Sequence, residues 1–295
     1  MGSMREIKQR INATDKTSQI TKAMHMVSAS KLKKAERNIV NFRPLTKRLT
    51  ASLARVMESD RDIKHPIFES REVEKTVYII ISSDRGLAGP YNASVFKAFQ
   101  TYVEKHHESS DEFAVAALGY KAFSFARRKK YELLNKEVIQ VRDDVQFLDF
   151  QAVSDDFIKG YLAGKYDKVV VFYNKFVNTM NQQAKYQTIM PLDKSPFIEV
   201  KPKDDLQKYK RMYHYEPSAQ SVLSQLLPMV VVNVLFGMIL EAKASEHAAR
   251  MTAMKSATDN AKDLIRDLKL HYNRARQNAI TIELTDIIGG ANAVN

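Results

Sequence analysis

The stretch from Ser218 to Ala293 constrains the fold more than any other part of the chain. After Pro228 it contains no proline, and between Gly237 and Gly289 it contains no glycine. At about 1.5 Å of rise per residue, a helix of about 70 residues would reach roughly 100 Å. Helices well beyond about 25 residues occur as coiled coils, membrane spans or helical repeats. Lys, Arg, Asp and Glu recur every few residues downstream of Leu240, which excludes a membrane span there. A coiled coil needs a partner helix, and the other end of the chain offers one. Residues from Met4 to Met57 carry Ile7, Ile11, Ile20, Met24, Val27, Leu32, Ala35, Ile39, Phe42, Leu45, Leu49, Leu53 and Val56, an apolar seam at helical spacing. Between Ile11 and Ile20 that seam is polar (Thr14, Thr17, Ser18). Ser3 followed by Glu6 has the pattern of a capping box, and Pro44 is expected to kink or restart the helix. The two terminal helices are expected to pair antiparallel, with cysteines introduced near Leu32 and Ala248 close enough to join.

The middle of the chain alternates strand and helix. Lys75–Ser82 is a near-continuous apolar run, as in a strand buried on both faces. Phe113–Leu118, Val138–Val141, Lys168–Tyr173 and Gln183–Met190 follow as strands, the last two as a hairpin. Helices are expected at Asn92–His106, Tyr120–Lys130 and Phe150–Ala163, and Asp193–Asp205 reads as loop. This alternation implies a largely parallel sheet with helices on its faces. The fold class is therefore α/β, with a long antiparallel coiled coil of the N- and C-terminal helices. The expected parts are an N-terminal helix (1–60), an α/β domain (61–208) and a C-terminal helix (209–295).

Charge is unevenly placed. The net charge is +12, and residues 1–57 hold 13 Lys and Arg against 3 Asp and Glu, so the excess sits on the first helix. Such asymmetry fits an acidic partner surface, an anionic lipid or nucleic acid. There is no cysteine, which removes disulfides, thiolate metal sites and a Cys nucleophile, and fits a reducing compartment. The charged, helical N-terminus has no signal-peptide pattern. The apolar run Leu226–Leu240 is shorter than the roughly 20 residues of a membrane span, so a buried helix face is expected.

The residues do not assemble a catalyst. Ser82 to Pro90 (SSDRGLAGP) joins a strand to a helix, where doubly wound folds bind phosphates, but it lacks the glycine spacing of a dinucleotide or P-loop fingerprint. It reads as a structural turn, in which Gly86 is expected to need a positive φ. The seven histidines are scattered, and no pair has metal-ligand spacing with a third ligand nearby. Asp143-Asp144, Asp155-Asp156 and Asp204-Asp205 are adjacent pairs, read as surface charge. A basic coiled-coil protein that binds nucleic acid accounts for the charge of the first helix, but not for its Ala/Met/Ser patterning. A Rossmann-like enzyme would need a cofactor.

Four stretches together resemble the gamma subunit, the central shaft, of bacterial F-type ATP synthases. They are Thr17 to Lys31 (TSQITKAMHMVSASK), Ser83 to Gly89 (SDRGLAG), Ala244 to Met251 (ASEHAARM) continuing to Ala257–Asn260, and Ile280-Thr281-x-Glu283-x-x-Asp286-x-x-x-Gly290-Ala291. Pro90-Tyr91 stands where the family often has Gly-Leu, and Met229–Ile239 is more apolar than is usual there. The resemblance implies a Rossmann-like lobe at the foot of a coiled coil that turns inside a ring of three alpha and three beta subunits, coupling proton-driven c-ring rotation to ATP synthesis or hydrolysis. It implies coupling contacts to alpha and beta at Met24, Arg250, Gln277 and Thr281. It also implies foot contacts to the epsilon subunit and c-ring at Tyr213, Tyr215 and Glu216. No cofactor is expected on this chain, since ATP, ADP and Mg belong to partner subunits. No nucleic-acid partner is implied. The expected location is the cytoplasmic face of the bacterial plasma membrane, with membrane contact only through the c-ring.

Overall fold

The computed structural model describes residues 4–59, 64–195 and 213–294. The Ser3 cap and most of the Asp193–Asp205 loop lie outside the described residues. In chain order the elements are α1 (Met4–Ser59), β1 (Thr76–Ile81), α2 (Tyr91–His106), β2 (Phe113–Leu118), α3 (Tyr120–Lys129), α4 (Phe147–Leu162), β3 (Lys168–Phe176), β4 (Gln182–Met190) and α5 (Ala219–Val294). The chain divides into two compact units: residues up to Ala29 with those from Arg250 onward, and Ser30–Ala249.

In the first unit, α1 and α5 pair along a heptad seam. The inward positions of α1 are Ile7, Ile11, Thr14, Ser18, Thr21, His25 and Ser28, and those of α5 are Met254, Thr258, Ala261, Ile265, Leu268, Tyr272 and Ala275. Both sets alternate steps of four and three, the repeat of a left-handed coiled coil. The seam differs from the expected one. Ile20 and Val27 are 60% and 53% exposed, and the smaller Ser18, Thr21 and Ser28 are buried instead. The Thr21 and Ser28 hydroxyls are satisfied locally, which makes their burial tolerable. Thr21 Oγ1 donates to the Ser18 carbonyl (3.1 Å), Ser28 Oγ to the Met24 carbonyl (2.8 Å), and Thr258 Oγ1 lies 2.8 Å from Thr21 Oγ1. Thr21→Cys with Thr258→Cys is expected to oxidise to near completion, since the chain has no competing thiol. Ile20→Cys with Thr258→Cys should not, and gel mobility before and after reduction reads both. Equal cross-linking of the two pairs would contradict this seam.

In the second unit the sheet order is β2-β1-β3-β4, with β2, β1 and β3 parallel and β4 antiparallel at the edge. The pleat sends alternate residues of β1 to opposite faces. Tyr78 and Ile80 pack with Val95, Phe99 and Val103 of α2 and Phe125 of α3. Val77, Ile79 and Ile81 face a larger core shared with Phe157, Ile158 and Tyr161 of α4, Leu53 and Val56 of α1, and Leu223 to Ile239 of α5. The apolar run of α5 is thus covered over most of its surface by the lobe and by α1, as in a core helix, with Met229 left exposed. By length and composition α5 passes as a membrane span, yet Leu227, Val230, Val231, Leu235 and Ile239 are buried in the protein. α1 continues through Pro44, and α5 through Pro228. Near Pro44, Phe42 stacks edge-on against Phe236 at 5.1 Å, a tertiary contact that offsets the missing hydrogen bond. Leu45, expected in the seam, is 47% exposed; Thr46 takes its place.

The strand expected at Val138–Val141 does not form. Only isolated bridges join Leu118 to Ile139 and Val115 to Leu133. The Asn135 side chain takes the place of strand pairing: its Oδ1 accepts from the Ala117 amide (2.8 Å) and its Nδ2 donates to the Ala117 carbonyl (3.2 Å). The side-chain amide thereby covers the β2 edge at Ala117, between backbone hydrogen bonds that join Val115 to Glu132 and Leu134 and Gly119 to Ile139.

Candidate functional site

The expected coupling residues all lie in the first unit. Met24 and Arg250 are half-buried beside the seam, whereas Gln277 and Thr281 are exposed one turn apart on α5, with Thr281 Oγ1 donating to the Gln277 carbonyl (2.9 Å). Carried along the heptads, the Thr21–Thr258 register sets Met4 opposite Ala275. Gln277 and Thr281 therefore lie on a length of α5 that α1 does not cover. Ile280, Leu284, Ile287 and Ile288 are also exposed there. At spacings of four, three and one they form a single apolar stripe. The sequence marks this segment only as a family signature and does not reveal its exposed apolar face.

The foot residues gather at the start of α5. The Tyr213 and Tyr215 rings stack at 6.5 Å, and the Arg55 guanidinium lies 5.6 Å from the Tyr213 ring centre, within cation–π range. Tyr213 and Glu216 are exposed, and Tyr215 packs partly against the core.

The Ser83–Gly89 turn is held by its own neighbours. The Ser83 amide donates to Asn92 Oδ1 (3.0 Å), the Ser83 hydroxyl to the Arg85 carbonyl (2.7 Å), and the Tyr120 amide at the start of α3 to Asp84 Oδ1 (3.0 Å). An amide that could meet a phosphate is thus engaged by a carboxylate. The positive φ expected at Gly86 falls instead on Leu87 (61°) and Gly89 (55°), and an added Cβ at Gly86 meets nothing within 4 Å. The steric demand lies at Gly119, whose φ is +95° and whose added Cβ would stand 2.4 Å from the Ser82 carbonyl oxygen. Past the turn, Ala88 and Tyr91 bury against Ala249 of α5.

The ASEHAARM stretch is where α5 docks on the lobe. Ser245 Oγ donates to the Asn174 carbonyl (2.9 Å), and Asn174 Nδ2 donates to the Tyr91 carbonyl (2.7 Å). Lys243, Glu246 and His247 are 5%, 3% and 2% exposed. Lys243 Nζ reaches the Val141 carbonyl (2.9 Å), Glu246 Oε2 (2.8 Å) and Asp143 Oδ1 (3.3 Å). Asp143 also meets His247 Nε2 (3.4 Å) and, through Oδ2, Lys31 Nζ of α1 (2.6 Å). Asp143 is therefore no plain surface charge, as its adjacent-pair pattern suggested, because the fold brings three separated residues to it. Its hydrogen bond with His247, reinforced by Lys31 and Lys243 against the opposing effect of burial, holds its carboxyl well below the usual carboxylate range. A depressed folded value contributes stability that is present above the unfolded value near 3.8 and lost only as pH falls through the lower folded value.

The chain thus presents a pair of helices with an exposed apolar stripe in one unit and an α/β lobe joined to its own stretches of α1 and α5 by a charged cluster in the other. The sequence profile of the family described as ATP synthase matches residues 3–294. The ATP synthase gamma chain of Staphylococcus saprophyticus is 41% identical over 296 residues, covering all of both chains. That of Macrococcus caseolyticus is 41% identical over 295 residues, again end to end. Among solved structures, the central stalk and c-ring of Tetrahymena thermophila mitochondrial ATP synthase has a chain superposing with a TM-score of 0.58 at 24% identity, over 81% of this chain and 99% of that one. A chain of the Euglena gracilis mitochondrial ATP synthase in an OSCP/F1/c-ring structure superposes with a TM-score of 0.62 at 16% identity, over 99% and 94%. The chain belongs to the ATP synthase gamma-chain family and is a non-catalytic subunit, the central stalk of an F-type ATP synthase.

Proposed function

We propose that this chain carries torque between a membrane c-ring and the catalytic beta subunits of an alpha3-beta3 ring, with proton flow as the source. The observation that supports this best is the apolar stripe Ile280, Leu284, Ile287 and Ile288 on a helix segment that α1 does not cover. Such a face on a thin helix needs an apolar surround, and a ring of subunits closing on the shaft supplies one. Met24, Arg250, Gln277 and Thr281 then face alpha and beta, and Tyr213, Tyr215 and Glu216 face epsilon and the c-ring. The excess of Lys and Arg on α1 meets acidic loops that move past it. Exposed ion pairs contribute only about 0–1 kcal/mol each, so no single angle traps the rotor. In this reading the chain binds neither nucleotide nor Mg, and it lies on the cytoplasmic face of the bacterial plasma membrane through the c-ring.

Gln277→Ala and Arg250→Ala in the whole complex test the tip contacts. Each is expected to lower the yield of assembled complex, or the protons moved per ATP, by severalfold, while nucleotide binding by beta persists. Assembly and pumping equal to wild type in both variants would remove these residues from the interface. Release of the chain from alpha and beta with salt-dependent capture by nucleic acid would favour the basic coiled-coil reading instead.

A further inference from the structure

Apolar packing holds most of the lobe to the helices, and apolar contact is non-directional. A carboxylate meeting cations from several sides fixes an angle. Asp143 is such a group. It follows Val141, whose carbonyl is held by Lys243, and its two oxygens divide between the helices: Oδ2 to Lys31 of α1, and Oδ1 to Lys243 and His247 of α5. The Ser245 tie to Asn174, by contrast, reaches α5 alone.

We propose that Asp143 is a positioning residue for torque transfer, one carboxylate that fastens the lobe to both shaft helices at once and sets the torsional stiffness of that joint. This rests on the torque-bearing role above. The charges around it balance without an outside ligand: Lys31 and Lys243 are set against Asp143 and Glu246, with His247 completing the ring of contacts. Without the Asp143 charge, Lys31 loses its carboxylate on the lobe, and α1 is tied to the lobe there by packing.

The chain lacks cysteine, so Leu148→Cys on α4, at a 76% exposed position, offers one attachment point for a bead on the lobe. In the whole complex, fixed by its ring and held at a catalytic dwell by low ATP, the angular variance of the bead is inversely proportional to torsional stiffness. Charge-assisted hydrogen bonds are roughly twice as strong as neutral ones, so Asp143→Asn, which keeps the shape and loses the charge, is expected to raise the variance above wild type. Asp143→Glu should return it toward wild type, and Lys31→Met, at a half-exposed pair, should raise it even if Asp143→Asn assembles poorly. A residue that merely stabilises the fold would lower the melting temperature and leave the variance at the dwell unchanged. That result, with a wild-type bead that turns on ATP, overturns the inference. A wild-type bead that does not turn overturns the torque reading itself.

Discussion

Met24→Lys in the assembled enzyme is expected to keep hydrolysing ATP while moving far fewer protons per ATP, with a steeper temperature dependence. Met24 is half-buried on α1, between the inward Thr21 and Ser28 and next to the exposed Met26 and Val27. Lysine matches methionine in helix propensity and in its unbranched stem, so the coiled coil should persist. The change delivers an ammonium to the surface proposed to face beta. One new charged hydrogen bond contributes about 1.5–3 kcal/mol. If it forms at one rotational angle only, the barrier to leaving that angle rises by the same amount, and each ~1.4 kcal/mol slows the step tenfold. Protons pumped per ATP in membrane vesicles, at several temperatures, give the reading. A ratio and temperature dependence equal to wild type, in normally assembled complex, would exclude Met24 as a coupling contact.

The largest stability effects are expected in the apolar run of α5. Leu227 and Ile239 are fully buried against the sheet face and α4. Leu227→Ala or Ile239→Ala leaves a cavity that costs about 2–5 kcal/mol, which lowers the melting temperature by roughly 4–20 °C in a domain of this size. Met229, in the same run, is 54% exposed, and Met229→Lys should change the melting temperature by no more than a degree or two. A run that crossed a bilayer would behave differently: Met229→Lys would be among the worst substitutions in it. Thermal melts of the three variants separate the two, and a large loss in Met229→Lys would contradict the buried-core account.

The parts of the fold legible in the sequence were those where hydrophobicity and position agree. β1 and β2 are buried along their whole length, so their apolar runs marked them to within a residue. The seam of the first unit was not legible, because it is built of hydroxyls: apolar periodicity chose Ile20 over Ser18 and Thr21, and Val27 over Ser28. Those apolar side chains are free to meet partners because the seam does not need them. The strand at Val138–Val141 was misread because isolated backbone bonds at Val115 and Gly119 and an Asn135 side chain at Ala117 pair that β edge without a strand, and no pattern of apolar residues records that. The charged junction was missed for a third reason. Lys31, Asp143 and Lys243 are a hundred or more positions apart in sequence, and each alone looks like a solvated charge. The tip and foot residues came from family resemblance, and the geometry adds the uncovered length of α5 on which Gln277 and Thr281 sit.

Rotation tests the account most directly. With the ring of alpha and beta subunits fixed to a surface and a bead on the lobe at Leu148→Cys, ATP should drive the bead in one direction, in steps of one-third of a turn, at a rate that follows hydrolysis. A bead that stays still, or only diffuses, while the same complexes hydrolyse ATP would contradict the claim that this chain is the rotating shaft.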